Sequence, residues 1–182
     1  MLASASPQRA EILRRLGIEF RVRVSSVPET HEGDPARVTV QNARRKAVAV
    51  RRETAHEAIL GCDTAVALEG ALYGKPADAT AALATLRALA GRTHEVVSGL
   101  VLLLAEEERT AVAHTAVTFR ELDEELLAWY VSMGEWRGRA GGYAIQGAGA
   151  ALVRAVRGGY ENVVGLPLPE LLDLCPRLLV GS

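Results

Sequence analysis

Lysine is almost missing from this chain. Of 21 basic residues in 182, only Lys46 and Lys75 are lysines, which leaves 19 arginines. Where arginine serves for every solvated cation, the two lysines stand out. A compact ammonium is a point charge that the flat guanidinium fork does not replace well at a phosphate. The alternative is that they are residual surface lysines. Cysteine is scarce too. Cys62 and Cys175 form no C-x-x-C pair, which argues against a zinc site and for a reducing, cytoplasmic setting. The net charge is only −1, so a general affinity for nucleic acid or anionic membranes is not expected. Any anion site must be a local concentration of positive charge. No apolar run approaches the ~18 residues of a membrane span. No basic segment followed by a long apolar stretch opens the chain, so no secretory signal is read. A G-x-x-x-x-G-K-[ST] loop is missing as well, which excludes a P-loop enzyme.

What is present describes a globular protein. Hydrophobic residues make up 49% and charged residues 24%. The length suits one domain with a real core, or two small lobes. No repeat or linker divides it, so residues 1–182 are read as one domain.

The stretch Leu2-Ala-Ser-Ala-Ser-Pro-Gln-Arg9 predicts a short strand, a tight loop and a helix. Ser6 suits the N-cap, Pro7 the first helical position, and Gly17 the stop. A helix N-terminus offers unpaired N–H groups and the positive end of the dipole. With Ser4, Ser6 and Arg9 beside it, the loop reads as an anion cradle, most simply for phosphate. An ordinary capped helix with a surface arginine is the other reading.

Further along, residues 19–27 alternate apolar and polar, a strand signal. A polar loop carrying Glu29 follows, and Asp34-Pro35 opens a helix whose apolar stripe runs Ala36, Val40, Ala43, Ala47, Val50. Lys46 lies off that stripe. Residues 58–68 form a near-continuous apolar run, read as a buried strand of an α/β sheet. Glu69-Gly70 turns it into a hairpin toward Gly74-Lys75-Pro76. Asp78 and Asp123 cap further helices, and Val96–Leu104 and Ala111–Phe119 read as strands. Short strands and glycine-rich loops fill 138–157, and Pro167 introduces a last helix. Alternating strands and helices with hairpins predict an α/β class with a mixed sheet.

Asp63 is the sharpest single feature. A carboxylate in an apolar strand needs a metal, a cation or donors as partner. It reads as a metal ligand or general base, or as a buried carboxylate paired with an arginine. Glu29 could add a second carboxylate to a divalent ion; alone it would be a solvated loop residue. Several patterns carry no weight. Gln146-Gly147-Ala148-Gly149 fails as a dinucleotide loop, because the third glycine would fall at Leu152. Ser4, Asp63 and His94 make a triad only on paper, with no G-x-S-x-G elbow to support them. Cys62 reads as core packing, and His94 and His114 as satisfied strand residues. Two serines and an arginine at a helix start, two isolated lysines and two carboxylates together suggest a polyphosphate site with a divalent metal, where Asp63 activates water.

Several spaced motifs strengthen this reading: the opening Leu2–Arg9 stretch, Gly61-Cys-Asp-Thr64, Gly74-Lys-Pro76, Gly91-Arg-Thr-His94, Ala140-Gly-Gly-Tyr-Ala-Ile-Gln-Gly147 and Val163-Val-Gly-Leu-Pro167. In this order the chain resembles, nearly end to end, the Maf nucleoside triphosphate pyrophosphatases, the septum-formation-inhibitor homologues. The resemblance implies a two-lobed α/β fold, with an elongated mixed sheet flanked by helices around a central cleft, similar to the inosine triphosphatase-like fold. It implies hydrolysis between the α and β phosphates, dependence on Mg²⁺ or Mn²⁺, and often a homodimer. By motif position, Asp63 matches the proton acceptor, while Ser4, Arg9, Glu29, Lys46 and Lys75 match residues of the phosphate and metal region. The pattern is closest to the dTTP/UTP branch, whose specificity residues match Thr64 and Gln146. That branch carries arginine where this chain has Gln8, and Asp-Lys where it has Gly138-Arg139. In the expected mechanism Ser4, Ser6, Arg9 and the helix N-terminus hold the triphosphate. Lys46 and Lys75 neutralise phosphate charge, and Glu29 and Asp63 hold metal. A reading of another class is a nucleotide-binding regulator of cell division with little turnover.

Overall fold

The computed structural model describes residues 1–51 and 57–180. Local signals set most of the elements. Strand β1 (Leu2–Ala3) leads into α1 (Pro7–Arg15), capped by Ser6 with Pro7 in the first turn. Helix α2 (Pro35–Arg51) starts where Asp34 Oδ1 accepts the Arg37 N–H at 2.9 Å. Strand β2 (Ile59–Leu68) turns at Glu69 (φ 52°) and Gly70 (φ 82°) into β3 (Ala71–Tyr73). Two successive positive φ angles give the tight hairpin turn whose twist suits paired strands. Helix α3 (Ala79–Leu89) is capped by Asp78 and α4 (Glu124–Ser132) by Asp123. Between them run the long strands β4 (Thr93–Leu103) and β5 (Glu108–Phe119). Strand β6 (Val153–Arg157), α5 (Tyr160–Val164) and α6 (Leu168–Leu174) complete the order. No helix among the described residues is long and apolar enough to cross a membrane.

The sheet is mixed, as expected. Its order is β1-β2-β4-β5-β6, with β3 also on β2; β1 runs parallel to β2 and the other pairs are antiparallel. Helices flank it. On one face, α1 and α6 pack Leu13 and Leu171 with Leu60, Cys62 and Leu100. On the other, α2 packs Ala43, Ala47 and Val50 against Ile59 and Val101. Farther along the same strands, Val66 and Leu68 join a separate core with Leu86, Phe119 and Tyr130. Asp63 and Thr64 fall between these cores, at the waist of β2. This is where a long strand can carry polar side chains without opening a core.

Two expectations fail here. Residues 19–27 form no strand: β1 is only two residues long and offers Val22 a single isolated bridge. Val22 and Val24 stay exposed at 48% and 58%, because nothing apolar lies over them to reward the alternation. Within 138–157 only β6 is a strand, and the glycine-rich remainder contains two 3₁₀ turns, at 140–142 and 148–152. The five-residue helix α5 has too short a pattern for periodicity to reveal.

Candidate active site

A cleft of about 450 Å³ opens at the waist, and Ser4, Ser6, Gln8, Arg9, Glu29, Lys46, Asp63, Thr64, Lys75 and Gln146 all line it. The residues singled out from the sequence are thus brought to one place from six separate segments of chain.

The floor is an ion cluster. Lys46 Nζ lies 2.7 Å from Asp63 Oδ1 and 2.6 Å from Glu29 Oε1, and its side chain is only 12% exposed. Lys75, more exposed, stands 3.8 Å from the second Glu29 oxygen. The buried partner of Asp63 is therefore a lysine, and the arginine pairing weighed from sequence is not found. Burial works to push the Glu29 carboxyl up. The hydrogen bond and charge of Lys46, with the charge of Lys75, outweigh it and hold the group below its ordinary value.

One wall is the α1 entrance. Arg9 is buried (7% exposed) and satisfied by neutral oxygens: Nη1 donates to Ser4 Oγ at 2.9 Å, Nη2 to Thr64 Oγ1 at 3.0 Å and Nε to the Gly165 carbonyl at 2.7 Å. Among the described residues no carboxylate balances it. A desolvated cation with only neutral partners is a standing attraction for an anion. Ser4 Oγ also accepts the Ser6 N–H at 3.2 Å, and Ser6 Oγ bonds the Gln8 amide oxygen at 3.1 Å. Gln8 is thereby turned to its own loop. Thr64 Oγ1 makes a second bond of 2.8 Å to Ser98 Oγ. Gly165 caps α5, a helix tied to the sheet by Asn162, whose amide donates to the Val96 carbonyl and to Thr115, both at 3.0 Å.

The opposite wall carries Arg137, Arg139, Tyr143 and Gln146. Glu135 sets this loop: its two oxygens accept the Ala148 and Gly149 N–H groups at 3.1 and 3.3 Å. The sequence reading missed Glu135. It also missed Asn42, a polar residue one turn before Lys46. That i, i+4 spacing was the available signal.

His94 stands apart from Asp63. It is buried against Phe119 and Tyr143, with ring centroids 4.8 and 5.4 Å away, and its Nε2 shares a 2.9 Å hydrogen bond with the Tyr143 hydroxyl. Its Nδ1 has no partner among the described residues, so it is less satisfied than its strand position suggested. Burial lowers its pKa to about 4. His114 is half exposed, 3.6 Å from Glu95. Cys62 is fully buried, and burial, reinforced by Asp63, pushes its thiol up, as core packing requires.

Two hard carboxylates converge on one point, while among the described residues no group of three or more His, Cys, Asp or Glu does. That donor set fits Mg²⁺, which takes one or two protein carboxylates and completes its shell with water and phosphate oxygens.

The family model described as Maf-like protein matches residues 1–178. The chain is also similar to several curated proteins named dTTP/UTP pyrophosphatase. One from Pelotomaculum thermopropionicum is 43% identical over 181 residues, covering 97% of this chain and 95% of the relative. One from Myxococcus xanthus is 46% identical over 179 residues, covering 97% and 91%. One from Pyrococcus furiosus is 42% identical over 176 residues, covering 96% and 92%.

Proposed function

Because the chain belongs to the Maf family, we propose that it is a nucleoside triphosphate pyrophosphatase that hydrolyses dTTP and UTP, the substrates for which its relatives are named. The observation that carries this reading is the cluster in which Lys46 joins Glu29 to Asp63 on the floor of a cleft walled by the buried Arg9.

The reaction follows from these groups. Arg9 and the N–H groups at the start of α1 bind the triphosphate, with Ser4 and Ser6 ordering that loop. Lys46 turns from its carboxylates to the phosphate oxygens, and Lys75 adds a second ammonium on the same side. Asp63 takes a proton from a water that attacks the α-phosphorus. The bond from that phosphorus to the oxygen bridging the β-phosphorus breaks, pyrophosphate departs, and the nucleoside monophosphate remains. Most of the acceleration comes from positioning and from cations placed where phosphoryl charge spreads. Glu29 and Asp63 are the residues that would hold Mg²⁺ or Mn²⁺. When bound, such a metal supplies Lewis-acid polarisation of phosphate oxygens. Gln146, on the cleft wall away from the Arg9 bonds, is the residue assigned to base preference, while Thr64 holds Arg9.

Asp63→Asn tests the assignment. Pyrophosphate release from dTTP and UTP with Mg²⁺ is expected to fall at least about a hundredfold, in the range of general-base loss. Near-normal release sinks the Asp63 role. Wild-type protein that binds these nucleotides in calorimetry yet releases no pyrophosphate sinks the enzyme reading and favours a regulator.

A further inference from the structure

The reaction as described leaves one buried polar side chain next to its centre without a task. Asn42 is 2% exposed. Its Nδ2 donates to Asp63 Oδ2 at 3.0 Å and to the Thr30 carbonyl at 2.9 Å. Its Oδ1 accepts from the Thr30 N–H at 3.0 Å and from Thr30 Oγ1 at 3.2 Å. Two donors and two acceptor sites are the full capacity of an amide, so nothing is left over. Only this orientation serves, because an ionised carboxylate only accepts and a backbone N–H only donates.

The placement has a consequence for both carboxylates. Asn42 and Lys46 lie one turn apart on α2 and take opposite oxygens of Asp63, at 3.0 and 2.7 Å. Lys46 is shared with Glu29 and is the group that phosphate draws away. Once it turns, the Asn42 amide is the α2 donor left on Asp63. Thr30 follows Glu29 directly in the chain, so the same amide anchors the loop that carries the second carboxylate. Hydrogen bonds to an ionised acceptor are the stronger kind, and they hold its plane as well as its charge.

We propose that Asn42 is the positioning residue of this site: its amide, itself held by Thr30, fixes the carboxylate plane of Asp63. The inference rests on the assignment of Asp63 as proton acceptor. It differs from ordinary core filling in acting through one partner, and that difference is measurable.

Asn42→Leu keeps a similar volume and removes the donor. With dTTP and Mg²⁺, kcat is expected to fall at least about tenfold while KM stays within about threefold, the pattern of a group acting after binding. In the Asp63→Asn background the same change is expected to cost less than about twofold, since residues that act as a unit are not additive. Equal fold-losses in both backgrounds, or a single-variant kcat within about twofold of wild type, overturn the proposal. If Asn42→Leu is insoluble, Asn42→Ala gives the same comparison. Near-normal turnover of Asp63→Asn alone overturns the Asp63 assignment and this inference with it. Asp63→Asn inactive beside Asn42→Leu fully active overturns only this one.

Discussion

Gly99 faces Asp63 across the β2–β4 ladder, and its missing side chain makes room for α2. A Cβ on Gly99 would fall 2.5 Å from the Thr39 carbonyl carbon and the Val40 nitrogen. Gly61, two residues before Asp63 on the same face of β2, would drive its Cβ into the Ala43 carbonyl. Two bare backbone positions thus let the helix lie close enough for Lys46 to reach Asp63 at 2.7 Å. Gly99→Ala is expected to lift α2 and cost about 1–3 kcal/mol, the usual range for overpacking. Turnover should fall by about a hundredfold, because roughly an ångström of misplacement at the chemistry is enough. Urea unfolding and pyrophosphate release measure the two effects. A variant with wild-type stability and rate would mean that α2 can shift without consequence.

Lys46 occupies the point where a divalent ion would meet Glu29 and Asp63. An ammonium held at 2.6 and 2.7 Å by two carboxylates is a built-in cation that an incoming metal must displace or repel. Nucleotide changes the balance by offering Lys46 phosphate oxygens. Without nucleotide, Mn²⁺ is therefore expected to bind the wild-type protein weakly. Lys46→Gln should bind Mn²⁺ at least about tenfold tighter, since like charges at this range repel by several kcal/mol, while its turnover falls. Electron paramagnetic resonance of free Mn²⁺ reads this without any catalysis. Equal affinity in the two proteins would show that Lys46 does not compete with metal.

The sequence made legible those parts of the fold and site that local chemistry determines. Ser6, Asp78 and Asp123 were readable as caps because a short polar side chain before an apolar period has one use there. The Glu69-Gly70 turn was readable for the same kind of reason. Seven of the ten cleft residues were recoverable from residue types, because a capped helix start with serines and an arginine, two lysines in an arginine-rich chain and a carboxylate in an apolar strand call for partners; Gln8, Thr64 and Gln146 entered only through the family resemblance. The partners themselves were not readable. Asn42 looks like any helix asparagine until Asp63 is packed against α2, and Glu135 is an unremarkable acid until the 148–152 turn folds over it. The 19–27 segment misled because alternation records only what a segment could pair with. A two-residue neighbour leaves it nothing to extend along.

His94 gives the protein a built-in sensitivity to acid. The ring is 1% exposed, enclosed by Phe119 and Tyr143, and burial sets its pKa at about 4 against an ordinary 6.5. Because the folded value is depressed, the unfolded chain binds the proton more readily. The stability His94 contributes is fully present above pH 6.5 and is lost as pH falls toward 4. Between pH 7 and pH 5 the loss comes to about 2 kcal/mol by linkage. Tyr143 lines the cleft and bonds His94 at 2.9 Å, so protonation there also disturbs the wall that carries Gln146. His94→Gln keeps a polar partner for the Tyr143 hydroxyl and does not titrate in this range. Its unfolding free energy in urea is expected to change between pH 7 and pH 5 by about 2 kcal/mol less than that of the wild type. An equal pH dependence in the two proteins would assign the acid sensitivity to other groups and leave His94 as packing alone.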